Sequence, residues 1–156
     1  MENNNEYKSS YFIVTQHLKE GYDIEVILKK INNNFWFSQN KKIFISNKYP
    51  WKTRLNFLLH EAGHAINDNK TGTYAKSISF SEYTNEKFRS KSQFVSILNE
   101  ELRAWNTGKK LAIDLSIHFD IIDYNKQTTN CVMSYVKTGL SDLYRGDVDV
   151  DIIKIR

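Results

Sequence analysis

A chain of 156 residues, 40% hydrophobic and 13% aromatic, is long enough to bury the core of one domain and too apolar for wholesale disorder. Its net charge of +4 is carried partly by isolated pairs, Lys29-Lys30, Lys41-Lys42 and Lys109-Lys110, which read as solvated surface and not as a phosphate-binding stripe, so no nucleic-acid partner is expected. The single cysteine, Cys131, excludes an internal disulfide.

No repeat, linker or shift in composition divides the chain, so a single domain over residues 1–156 is expected, with 1–8 and 145–156 loosely held. The polar, Asn-rich start lacks the basic and apolar regions of a signal peptide. No apolar run approaches the roughly 20 residues needed to cross a bilayer, so no membrane partner is expected. With the lone thiol, these features predict a protein of the reducing cytoplasm. The wealth of Asn, Lys and Ile beside one proline suggests AT-rich coding in a bacterial or phage gene; for a phage protein the compartment would be the host cytoplasm.

In chain order, Phe12, Ile13 and Leu18 predict a short helix over residues 10–20, closed by Gly21. Residues 22–31 fit a strand, with Ile24, Val26 and Leu28 alternating, and equally a helix, with Ile24, Ile27, Leu28 and Ile31 on one face. Residues 35–37 and 42–46 are aromatic and β-branched around a polar Gln39-Asn40-Lys41 turn and predict two strands. Pro50 breaks the chain, and Thr53 can cap a helix starting at Arg54. The apolar stripe of that helix runs through Leu55, Leu58, Leu59, Ala62 and Ile66, then fades over 67–72. Residues 73–92 are polar, with one strand-like piece at 77–80. A second long helix is predicted over 93–115 and a third over 127–137, ending before Gly139. The fold class these elements predict is α+β: a small antiparallel sheet packed on the first long helix. The second long helix would cross behind it, and residues 67–92 would rim the cleft.

The informative run is His60-Glu61-Ala62-Gly63-His64. On a helix, positions i and i+4 share one face, so both imidazoles reach a single metal ion. Neutral imidazole suits Zn²⁺, which accepts a four-coordinate site with one open position. Glu61 then points toward that position as a base for a water whose pKa the ion lowers from about 15.7 to about 7. Histidines on an apolar helix face are costly without a partner. Gly63 costs about 1 kcal/mol relative to alanine in mid-helix, which suggests that a strand or a substrate backbone approaches the metal there.

A catalytic zinc needs a third protein ligand. On the second long helix Phe94, Leu98, Trp105, Gly108 and Ala112 form an apolar face, and Glu101 falls inside it. Glu100 falls at the polar edge, beside Asn99 and Arg103. A carboxylate within an apolar face is expensive unless paired or bound to metal, which favours Glu101 over Glu100. A buried ion pair is the other reading of Glu101, and Arg103 is badly placed for it.

The order of Ile43, Ile45, Asn47, Arg54, His60, Glu61 and His64, followed by Glu101 and Ala104, resembles the ImmA/IrrE group of small metallopeptidases. The likeness covers residues 35–112, and the run from Glu100 to Trp105 with Gly108 is similar to bacterial and phage HExxH proteins. The resemblance implies a minimal zincin-like fold of the gluzincin type, in which the glutamate of the later helix completes the zinc site. Trp105 departs from the small polar residue usual there, and no helix-turn-helix region accompanies the motif.

The expected activity is zinc-dependent endopeptidase hydrolysis of a protein or peptide substrate. Its oxyanion needs a donor besides the metal, and Tyr135 and His118 are candidates by residue type, each with an ordinary reading as a packed aromatic or a surface histidine. Cys131 is a further candidate ligand or a small buried hydrophobe. The competing function is a non-catalytic binding or accessory protein with zinc as a structural strut. The weakest alternative is a nucleic-acid accessory protein.

Overall fold

Tyr7, Tyr11, Val14 and Leu18 recur at spacings of three and four, the stripe of one helix face. In the computed structural model, which describes residues 4–71 and 90–144, this stripe is the buried side of helix α1 (Asn4–Tyr22). The helix thus begins well before residue 10. Residues 4–8, expected to be loose, are helical because Tyr7 lies one turn ahead of Tyr11 and is buried with it. Asp23, at φ 56°, takes the left-handed conformation that ends the helix, a role expected of Gly21.

The ambiguous segment after it resolves as strand β1 (Glu25–Lys29), followed by β2 (Phe35–Phe37) and β3 (Lys42–Ser46). The order is β1-β3-β2, with β1 parallel and β2 antiparallel to β3. The sheet is therefore mixed, which corrects the expected antiparallel one. Only β2 and β3 are joined by a tight turn, through a 3₁₀ turn at Ser38–Asn40 and a left-handed Lys41. Residues 30–34 instead pass across the end of β3. The Ser46 N–H donates to Asn34 Oδ1 at 2.7 Å and the Ser46 hydroxyl to the Ile31 carbonyl at 2.8 Å. That crossing puts β2 on the far side of β3 from β1. Trp36, Ile43 and Ile45 face inward and are buried, while Phe35 and Phe44 stack on the outer face at 4.8 Å.

Helix α2 (Trp51–Thr71) starts directly after Pro50, whose carbonyl accepts from the Arg54 N–H. It begins before the expected Thr53 cap because proline suits the entry to a helix. Helix α3 (Lys91–Asp114) is capped by Ser90, which accepts from the Gln93 N–H. Helix α4 (Ile121–Leu143) is longer at both ends than the expected 127–137. Asp120 caps it by accepting from the N–H groups of Ile122 and Asp123, and Gly139 lies inside it against the Phe94 ring.

The architecture is α+β, with α2 at its centre against α1, the sheet and α3. Leu55, Leu58, Leu59, Ala62, Ala65 and Ile66 make α2 the core's densest contributor. α2 runs through Thr71, so residues 67–71, expected in a loop, are helical, and the rest of that loop, the strand-like piece at 77–80 and the tail at 145–156 lie outside the described residues. Among the described residues, no helix is long and apolar enough to cross a membrane.

Candidate metal centre

The site lies where α2 and α3 touch. A Cβ on Gly63 would stand 2.0 Å from the Ala104 carbonyl oxygen, and one on Gly108 would stand 2.2 Å from that of Leu59. Real Cβ atoms do not approach so closely, so a glycine on each helix is what lets the backbones meet. Gly63 does admit a close neighbour, but that neighbour is the backbone of α3 and not a strand or a substrate. A hydrogen bond from Thr107 Oγ1 to Asn67 Oδ1, 2.9 Å long, ties the helices one turn further on.

This approach delivers Glu101 to the two imidazoles. Its Oε2 lies 3.1 Å from His60 Nε2 and its Oε1 3.3 Å from His64 Nε2. One donor atom from each of His60, His64 and Glu101 falls within 4.8 Å of the others. Their residues are 8%, 3% and 1% exposed. Ligands at zinc-bonding distance around a tetrahedral ion stand about 3.3 Å apart, which is the spacing of the two His–Glu contacts, and the three donors as a set lie within 4.8 Å. Two nitrogens and a carboxylate oxygen are also the donors such an ion takes at an open site.

Electrostatics reinforce the geometry. Burial alone would push the Glu101 carboxyl up, but the imidazoles of His64 and His60 hold it well below the ordinary carboxylate range. Burial likewise opposes a charged His64, and the Glu101 carboxylate outweighs it, leaving that imidazole raised. The Glu61 carboxyl is raised by burial, against the pull of His60 and His64 and of a backbone hydrogen bond from Trp36. Glu61 Oε1 lies 3.7 Å from His60 Nδ1.

The other candidates are arranged differently. Glu100 stands outside the cluster, 3.8 Å from Arg103 Nη2. Tyr135 is half-buried on α4, one turn beyond Cys131 and on its side of the helix. His118 is half-exposed, packed against Tyr7 at 4.7 Å and 3.5 Å from Glu6, so its neighbours belong to α1. Cys131 is half-buried, and burial, then the charges of Glu101 and Glu61, push its thiol up to about 11. It is not one of the three clustered donors. Among the basic pairs, Lys42 meets Glu25 and Lys110 meets Asp114.

Three participants escape sequence reasoning. Trp105 stacks on His60, with ring centroids 4.1 Å apart and planes 7° from parallel. Trp36 brings β2 to the cluster through its backbone N–H on Glu61, and its indole donates to Asp68 on α2. Tyr124 packs edge-on to Trp105. The spacing from Glu101 to Trp105 is a signal that places both on one face; nothing in the sequence pairs β2 with Glu61. No family model matches the chain, and no curated protein or solved structure matches it either.

Proposed function

We propose that the chain is a zinc metallopeptidase on a minimal zincin-like scaffold, with His60, His64 and Glu101 as ligands and Glu61 as general base. The observation that carries this reading is the buried His-His-Glu cluster at metal-ligand spacing. A divalent ion held there would supply Lewis acidity, lowering the pKa of a bound water and polarising a substrate carbonyl. Glu61 is buried and held by the Trp36 N–H beside His60, a placement that suits a group that takes a proton and returns it. It would take the proton of the water attacking the peptide carbonyl carbon and pass it to the amine nitrogen as the C–N bond breaks. β2 is an edge strand next to that carboxylate, and an extended peptide can pair with such an edge.

One observation favours a second reading, a zinc-stabilised binding or accessory protein that cleaves nothing. The side chains of His60, Glu61, His64 and Glu101 are 10%, 8%, 4% and 1% exposed, which is also what a closed structural site looks like. Elemental analysis of the wild type beside His60→Ala and Glu101→Ala, with hydrolysis of an unfolded protein by wild type and Glu61→Gln, separates the two. A peptidase binds about one zinc per chain, loses it in His60→Ala, holds it weakly in Glu101→Ala, and keeps zinc but not cleavage in Glu61→Gln. Zinc without cleavage supports the strut. No zinc and no affinity for added zinc rejects both.

A further inference from the structure

An imidazole ligand is oriented from its second nitrogen in most metal sites, by a hydrogen bond to a carboxylate or carbonyl that fixes the ring plane. For His60 the nearest acidic oxygen to that nitrogen is Glu61 Oε1 at 3.7 Å, too far for a hydrogen bond. The ring is instead flat against Trp105, whose plane is 7° from parallel at a centroid distance of 4.1 Å. Trp105 is 1% exposed and is itself fixed from α4. The Tyr124 ring meets it edge-on at 5.1 Å and 71°, and the Tyr124 hydroxyl donates to the Trp105 carbonyl at 2.8 Å. Gly108 makes room for that hydroxyl, since a Cβ there would stand 2.8 Å from it.

We propose that Trp105, braced by Tyr124, is the positioning residue of His60: its flat face holds the imidazole plane, so α4 helps to set metal affinity although the three clustered donors come from α2 and α3. The proposal rests on the metal-site reading above. Glu101 and Trp105 are one turn apart on α3, so one helix face supplies both the carboxylate at the tip of the His60 ring and the plate against its side. Stacking depends on a planar face, which phenylalanine keeps and a branched aliphatic side chain lacks.

The test is Zn²⁺ affinity of the metal-depleted full chain, measured by competition with a chelator, for wild type, Trp105→Phe and Trp105→Leu, with thermal melts of each. The expected result is binding weakened about tenfold in Trp105→Leu, the scale of a lost orienting contact, and largely rescued in Trp105→Phe. Unchanged affinity in both variants overturns the proposal, and so does equal weakening in both, which would mark general packing. Should Trp105→Leu fail to fold, fluorescence decides. In a Trp36→Phe background, where Trp105 is the tryptophan left beside the cluster, zinc should change the tryptophan emission, and that change should vanish when Trp105→Phe is added, which retains Trp51. A response that persists there overturns the brace. A wild type that takes up no zinc overturns the metal reading and the brace together, whereas zinc uptake indifferent to Trp105 sinks the brace alone.

Discussion

Helix α2 carries ionisable groups in two opposite settings. At its first turn Lys52 reaches Asp120 at 2.9 Å and Asp123 at 3.9 Å, with the two aspartate side chains 35% and 39% exposed. Lys52 and Asp123 line a surface cavity of about 480 Å³ together with Asn4, Tyr7, Pro50 and Thr53. Two turns on, His60, His64 and Glu101 are buried between backbones that touch at two glycines. Solvated charges attract weakly and tolerate the loss of a partner, whereas a buried charge must be matched by one. The contrast teaches where to look for chemistry: the open cluster has an ordinary electrostatic explanation, and the closed one is held together by groups that share a metal's preferences.

Breaking the closed setting should have the largest effect. Gly63→Ala puts a Cβ onto the Ala104 carbonyl, and because both atoms belong to helix backbones neither can yield cheaply. We expect a loss of about 3 kcal/mol, the upper end for overpacking, read by denaturant unfolding. A loss under about 0.5 kcal/mol would show that the seam is slack.

The next effect is on pH dependence. Burial lowers His64 and the Glu101 charge raises it, with a raised value as the net result, so the metal-free imidazole keeps its proton beyond the ordinary histidine value near pH 6.5. Zn²⁺ needs the neutral ring, so affinity should climb as pH rises through and past that value, by up to about tenfold per unit for one competing proton. Calorimetry at pH 7 in buffers of different ionisation heat should detect the released proton; a binding heat independent of buffer would refute the coupling. In the metal-free protein the sign reverses. A raised His64 adds stability that is complete below its unfolded pKa and is lost as pH climbs through the folded one.

The smallest effect belongs to the open setting. Lys52→Met keeps the stem and removes the charge, and should cost less than about 1 kcal/mol. Loss of more than about 2 kcal/mol, which a partly exposed pair does not supply, would erase the contrast between the two clusters.

The helical elements were legible wherever one face alone explained the burial, as in the stripe of α2 and the carboxylate within the apolar face of α3. Boundaries were less so. Asn4 to Lys8 looked like a polar tail because one buried tyrosine per turn is enough to hold a helix start. The Asp120 cap is hard to see in the sequence because the two isoleucines after it are 43% and 78% exposed and so break the apolar period of α4. In the sequence, Trp36 is legible only as part of a strand.

By itself the sequence determined which side chains share a helix face: His60 with His64 by their spacing, and Glu101 as an acid that needs a partner. Tertiary structure alone decided which elements meet. It made the sheet mixed by carrying residues 30–34 across the end of β3, brought the Trp36 N–H to Glu61, and set Trp105 flat on His60. The reason is physical. Facing is a local property fixed by the period of a helix or strand, whereas a contact between elements depends on how closely two backbones can approach, which two glycines settle here only once the helices have found each other.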